Sequence, residues 1–517
     1  MGLKATNPNL SDPKTVKEAL SRSDHKEWEK AIIKEAKSLE STGCLEWKLI
    51  STLPKGRVPL TGKWVFKIKV LPDGTVEKYK ARWTARGFTQ RKGLDYVNTF
   101  APTPRAATGR ILLSLSVNFG WKRRQVDVET AFLNPNLDKQ IFIKPPEGAH
   151  LFKKDAHKYI IHVKKGLYGL KQAAALWHYD AVDTLQKLGL TRTVSDACLF
   201  QGKGILVLLH VDDFQIFGQS DHKIDKLIKG LEQKYTIKVV DTNVFLGLYL
   251  KEGKDGSMSV SQEHYSRDKL QGHGLSNAKS VKYPLDTLLE PLQDEGTKED
   301  YDLFNKIIGE LQHLSNHTRP DISFAVNHCA RFLQNPGPLH VQAAKHIWRY
   351  VAGTIDKCLV YRKTKEQIQI EAFSDSDFAG DPSTSRSTSG MLFKIAGGPV
   401  VWRSQLQKEV VLSSTEAEYL SLTEATREVN WVRNLINELQ PFTQAKSIST
   451  ILIKVDNQSA ISLVENHANS KRSRHVSLRN HYCREQHDKG SIKVEFVRTD
   501  MQLADCLTKP KSPNTIL

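Results

Sequence analysis

No stretch of this 517-residue chain comes near the roughly eighteen consecutive apolar residues that a membrane-spanning helix needs, so a bitopic or polytopic helical membrane protein is excluded. The opening MGLKATNPNL has no apolar h-region, which argues against a secretory signal. It does fit the loose Met-Gly-x-x-x-Ser/Thr acylation pattern through Thr6, although one acyl chain anchors only weakly. Cysteine is sparse. The six thiols (Cys44, Cys198, Cys329, Cys358, Cys483 and Cys506) form no C-x-x-C pair, so a structural zinc site and a disulfide framework are both disfavoured, and a reduced intracellular compartment fits. No repeat at a 20–50-residue period stands out, which argues against a solenoid.

What is abundant is positive charge. Seventy-five basic residues face 57 acidic ones, a net charge of +18, and that balance points to a polyanionic partner, nucleic acid being the commonest. Apolar and charged fractions of 39% and 26% are those of an ordinary globular protein long enough for several cores. Residues 14–40 carry a helical pattern. GKWVFKIKVLPDGTVEKYKARWTARG alternates apolar and basic residues about a Pro-Asp-Gly turn, as a β-hairpin with a basic second strand would. Patterning weakens over 267–300, the best candidate boundary. Helical segments separated by Pro320 and Pro336-Gly337-Pro338 follow to about residue 355. Beyond 366, IQIEAFSDSD, GMLFKIAG, PVVWRS and KEVVLSS read as consecutive strands. TEAEYLSLTEATREVNWVRNLINEL reads as a long helix, and strand, helix, strand and a last short helix complete an α/β unit.

Within ILVLLHVDDFQIFG, Asp212 and Asp213 fall at a tight turn between two oily strands. Aspartate favours turns, so the pair alone says little. A third acid, Asp127 in RRQVDVETAFL, changes that. Carboxylates from neighbouring strands can hold two magnesium ions ~3.5–4 Å apart, and magnesium prefers a few carboxylates plus substrate phosphate oxygens. Such a site suits phosphoryl transfer, in which positioning and charge neutralisation supply most of the catalysis.

In order and spacing, YKARWTARGFTQRKGLDY, QVDVETAFLN, GLYGLKQAAALWHY, LLHVDDFQIFG and FLGLYL resemble the reverse transcriptase of copia-type long-terminal-repeat retrotransposons. The resemblance runs from about residue 12 to the end. It implies an α+β fold: a right-hand polymerase of fingers, palm and thumb followed by an α/β ribonuclease H-like domain. The expected division is fingers and palm over 1–270, a helical thumb or connection over 271–365 and the nuclease-like domain over 366–517. It further implies that Asp127 and Asp212 ligate two metals, that Asp213 completes the acidic cluster, and that a primer 3′-hydroxyl attacks the α-phosphate of a dNTP with release of pyrophosphate. Phe132 matches the steric gate against a ribose 2′-hydroxyl, or is a core aromatic. Lys80 and Arg82 resemble the cations that grip triphosphate, or are one solvated strand face. Gln172 resembles a residue lining the nucleotide pocket. Phe245, Leu246 and Gly247 resemble the turn that presses on the primer, or are part of an ordinary core strand.

The tail offers four dispersed acids, each with a plain explanation. Glu416 follows Ser413 at capping-box spacing, Asp456 could cap a helix, and Asp505 could be a surface acid. Together with Asp375, and with the surrounding FSDSDFAGD, LSSTEAEYL, VDNQSAI and QLADCLTKP, they resemble the Asp-Glu-Asp-Asp metal-binding set of a ribonuclease H. The implied cofactor is Mg2+, two ions per active site, or Mn2+ in its place. The implied partners are an RNA template, a DNA or RNA primer, dNTPs, an RNA–DNA hybrid read through its 2′-hydroxyls, and other proteins of the element. The implied location is cytoplasmic, within a particle where the element is active. The basic segment 470–485 suits backbone contact with the hybrid.

Three departures from the family pattern stand out. His210 occupies a position usually held by Tyr or Phe, Ala174 and Ala175 stand where Pro-Arg is usual, and the chain stops soon after LTKPKSPNTIL. No nucleocapsid knuckle, Asp-Ser/Thr-Gly protease motif or His-His-Cys-Cys finger is present. The expectation is therefore the polymerase–nuclease portion of a polyprotein, or a truncated genomic copy. The competing reading is a catalytically degenerate relic that still binds nucleic acid.

Overall fold

The computed structural model describes residues 11–70, 75–240, 243–292, 296–364, 368–465 and 479–510. The acylation pattern at residues 1–6, the Pro-Asp-Gly turn, most of the basic 470–485 segment and the final residues lie outside them.

Near the amino terminus, helix His25–Ser41 lays Trp28, Ile32, Ala36 and Leu39 on the hairpin formed by strands Gly62–Val70 and Val76–Ala85. These positions recur every three to four residues, so one helix face is apolar. Beyond it, a six-stranded sheet pairs strand Lys122–Val128 with strand Asp213–Gly218, which in turn pairs with Ile205–His210. The last two are buried along almost their whole length, in keeping with their largely apolar sequence, and Gln215 is buried with them. Helix Lys298–His317 packs with Ser323–Ala330 and Pro338–Gly353 around Phe304, Ile308, Leu311 and Trp348, and this is the helical region read from the sequence.

The carboxy-terminal sheet has the spatial order 398–406, 388–395, 370–376, 451–455, 492–496. Its first three strands are antiparallel and its last two run parallel to the third. Helix Ser414–Glu438 covers one face. Two details differ from the sequence reading. KEVVLSS is not a strand. It runs past the sheet with Leu412 84% exposed, and the backbone N–H of Leu412 donates to Glu416 instead of to a ladder. The last short helix is a 3-10 turn, Leu503–Leu507, laid over Gly390, where a side chain would collide with Thr508 and the Ala504 carbonyl.

The units share one core. Helix Ala106–Phe119 is buried all round, between the Asp213 sheet and the carboxy-terminal sheet. Arg110 is the pin. Its Nε donates to the Val400 carbonyl at 2.8 Å and its Nη1 to that of Asn316 at 2.7 Å, while the guanidinium lies 3.8 Å over the Trp402 ring. Trp431 donates to the Ser195 carbonyl, and Glu438 accepts from the Ser195 hydroxyl at 2.6 Å. Among the described residues, no helix is long and apolar enough to cross a membrane.

Candidate active sites

Two residues, Val211 and Asp212, join the buried strands, with His210 directly opposite Asp213. Val211 has φ 55°, which a β-branched residue adopts at a cost on the order of 1–3 kcal/mol. The neighbourhood fixes it there. Trp177 Nε1 donates to the Val211 carbonyl at 2.5 Å, and Val128 N donates to the Asp212 carbonyl at 3.0 Å. The register that follows sets Asp213 directly across from Asp127 on the neighbouring strand. Three half-buried acids thus meet at one end of the sheet. Burial raises the Asp127 carboxyl, and the charge of Asp212 raises it further. Burial likewise raises Asp213, which accepts a hydrogen bond from Gln125 Nε2 at 3.1 Å.

Facing the acids is a wall of basic and aromatic groups. Burial lowers the Lys80 ammonium, and its charge opposes the upward shift of Asp127. Arg82 lies 4.6 Å over the Tyr168 ring. Tyr168 also meets Phe132 edge-on at 5.6 Å and feels the charges of Asp127 and Asp212. Phe132 is half-buried on the turn Ala131–Leu133, and Gly166 is small because the Phe132 carbonyl presses against it. Tyr168 was missed in the sequence, although it lies within the GLYGLKQ motif.

Gln172 does not line this space. It is 1% exposed, accepts from Gln90 Nε2 at 3.0 Å and donates to the Asp95 carbonyl at 2.8 Å, so it serves a buried network behind the wall. Ala174 and Ala175 form the first turn of helix Ala173–Lys187, with Ala175 buried. Phe245 to Gly247 form the tip of a hairpin between Val244–Phe245 and Leu248–Glu252, with Leu246 and Gly247 both at positive φ. Phe245 is buried against Phe217 and Gly109, which leaves Leu246 and Gly247 at the turn itself.

The second cluster is tighter. Asp375, Glu418 and Asp456 bring ligand atoms within 4.8 Å of one another. Asp375 stands near the end of strand Ile370–Ser376 and Asp456 just after strand Ile451–Val455, two parallel neighbours. The sequence reading named Glu416, and this is corrected. Positions two apart on a helix lie some 200° apart around the axis, on opposite faces. Glu416 gives its N–H to the capping Ser413 hydroxyl and turns its carboxylate back to accept from Leu412 N at 3.0 Å, whereas Glu418 is buried toward the strand. Ser421 Oγ, on the same face as Glu418, donates to the Asp375 carbonyl at 2.7 Å and fastens the helix there.

Burial and mutual repulsion push the Asp375 and Glu418 carboxyls well up. One Glu418 oxygen, Oε2, is buried without a hydrogen-bond partner. Thr508 Oγ1 donates to Asp375 Oδ2 at 2.5 Å. Asp505 is buried beside the cluster, and Lys509 Nζ is 2.5 Å from its Oδ1. A crowded acid set with an orphaned oxygen is what a divalent cation would complete.

Residues 45–287 match the family model described as reverse transcriptase (RNA-dependent DNA polymerase). The chain is 34% identical over 514 residues to the retrovirus-related Pol polyprotein from transposon TNT 1-94 of Nicotiana tabacum, a match covering 96% of the chain and 38% of that relative. It is 30% identical over 312 residues to the Ty5-1 transposon protein of Saccharomyces cerevisiae, which it covers completely, with 59% of the chain. In fold it is similar to the foamy viral protease-reverse transcriptase solved with double-stranded DNA, at TM-score 0.51 and 14% identity, over 91% of this chain and 69% of that one. The chain spans little more than a third of the Nicotiana polyprotein.

Proposed function

The chain belongs to the reverse transcriptase-bearing Pol polyproteins of copia-type retrotransposons, and from that premise we propose that it polymerises DNA on RNA and DNA templates at Asp127, Asp212 and Asp213 and cleaves the RNA of RNA–DNA hybrids at Asp375, Glu418, Asp456 and Asp505. The observation that carries the reading is the pairing of Asp213 with Asp127 beside the strained 211–212 turn. It delivers three carboxylates to one sheet end without relying on flexible side chains. Asp127 and Asp212 would hold two Mg2+ ions, with Asp213 as the third acid. In the second site Asp375, Glu418 and Asp456 would do so, with Asp505 adjacent. Bound there, such ions activate the attacking oxygen and neutralise charge on the phosphate and the leaving group.

The chain's own groups supply the rest. Lys80 and Arg82 lie across from the acids, where they suit a triphosphate. Phe132, held edge-on by Tyr168, presents a ring that would exclude a 2′-hydroxyl. The Leu246–Gly247 turn suits contact with a primer backbone. We assign residues up to about 270 to fingers and palm, 271–365 to the thumb and 366 onward to the nuclease-like domain, with Arg110 joining them. Gln172 is reassigned to buttressing the wall.

The test is extension of oligo(dT) on poly(rA) with Mg2+, beside cleavage of a labelled hybrid. Activity in both supports the proposal. Silence in both, with nucleic-acid binding retained, would replace it with a degenerate binding relic.

A further inference from the structure

We propose that the connector beginning at Gly87–Thr89 is a stacking platform for the unpaired template strand next to the polymerase site. Phe88 is its ring, and Arg86, Arg91 and Lys92 are the cations for the strand's phosphates. The inference rests on the polymerase reading above.

Phe88 is 76% exposed, and among the described residues it meets no other aromatic ring. A loose loop would fold such a ring inward to remove its apolar surface from water. This one is held out. Gly87 presses on the Gly169 carbonyl so closely that no side chain fits, and Ala85 N donates to the Tyr168 carbonyl at 2.7 Å. On the far side Lys171 N donates to Gln90 Oε1 at 2.8 Å, and the buried Gln90–Gln172 pair ties the turn to the Asp95 carbonyl. Both flanks of Phe88 are therefore locked to the 168–172 loop, whose Tyr168 ring meets Phe132, on the turn after the Asp127 strand, at 5.6 Å. The backbone that carries Phe88 is fixed, and its ring faces outward.

The surroundings select the occupant. Arg86, Arg91 and Lys92 are exposed, and among the described residues none of them is in an ion pair. The acid of this stretch, Asp95, is buried and bound to Arg57 at 3.0 Å. Farther along the same connector Phe100 is 78% exposed, offering a second ring. Exposed rings among unpaired cations suit a single strand, which presents base faces and phosphates alternately. Leu94 and Val97 on the same connector are exposed as well, but the unpaired cations set among these groups favour a phosphate-bearing strand over a protein partner.

The test uses the full chain and fluorescence anisotropy on primer–templates with one common duplex, blunt or with a 5′ template overhang. The wild type should prefer the overhang by about tenfold, and Phe88→Ala should weaken overhang binding about tenfold while leaving blunt affinity within about twofold. Phe88→Trp should restore the preference, and Val194→Ala, an exposed apolar site elsewhere, should not change it. Arg91→Ala with Lys92→Ala should lower the salt slope of overhang binding by about two. A wild type without overhang preference, or a Phe88→Ala chain that keeps it, would overturn the platform and leave the ring to a protein contact. Overhang preference without extension of any primer would instead overturn the polymerase reading.

Discussion

The Asp127–Asp212–Asp213 site and the Asp375–Glu418–Asp456 site bring acids together by different means. In the first, Asp127 and Asp213 come from paired strands and Asp212 from the strained turn leading into the second of them, and all three stay half-buried with Lys80 nearby. In the second, two strands and a helix each contribute one acid, two of the three are buried, and the carboxylate atoms lie within 4.8 Å. The first is arranged by register and leaves its acids only half-buried. The second is arranged by packing, and its crowding and burial keep protons on Asp375 and Glu418 until a cation arrives. An open site of the first kind suits a long duplex that must slide. A closed one suits a single phosphate that must be held.

The sharpest way to separate the two is to disable one. Asp212→Asn should lower primer extension by about 10³-fold and leave hybrid cleavage within about twofold. Loss of both activities in a folded chain would mean that the sites are not separate. Next comes the helix. Glu418→Gln should lower hybrid cleavage about 10²-fold, whereas Glu416→Gln should change it less than about threefold. The reverse result would restore the sequence reading. Without metal at pH 7, Glu418→Gln should also raise unfolding free energy by about 1 kcal/mol, because the buried acid, pushed up to about 9, folds only by holding a proton that glutamine does not need. No such gain is expected at Asp212, which stands half-exposed at its turn, and a gain there in urea titrations would erase the contrast.

A smaller effect concerns the joint between the sites. Arg110→Ala should destabilise the chain by about 2–3 kcal/mol, since the Val400 and Asn316 carbonyls lose their donor. Urea midpoints followed by tryptophan fluorescence check this, and an unchanged midpoint would remove Arg110 as the pin. The smallest effect is set by pH. Burial pulls the His328 imidazole down to about 4, and its Nε2 accepts from Leu289 N. A histidine with a depressed folded pKa gives stability that is present above its unfolded value of about 6.5 and lost as pH falls toward 4. The loss should reach about 2 kcal/mol at pH 4, and His328→Gln should flatten it. A wild-type midpoint that stays constant between pH 7 and 4 would count against it.

Much of this was legible in the chain. The two oily runs around Val211-Asp212 could only be a buried hairpin, and the Pro-separated helices after residue 300 follow from their periodicity. The choice between Glu416 and Glu418 was not legible, because TEAEYL offers both and only the packed face of the helix decides. Gln172 misled for a similar reason. Its motif fixes its place in the chain, but whether an amide faces a pocket or a buried network depends on Gln90 and Asp95, some eighty residues away. KEVVLSS has strand composition, but its Leu412 N–H goes to Glu416 and no ladder forms.

By itself the sequence determined the charge, the alternation of strands and helices, and the places in the chain where acids interrupt apolar runs. These depend on local composition and period, which neighbours along the chain carry. Only the tertiary structure decided which acid of a helix turns inward, which rings stay in water and how Arg110 binds one unit to the next. Those outcomes are set by contacts between residues tens to hundreds of positions apart, and no local pattern encodes the partner.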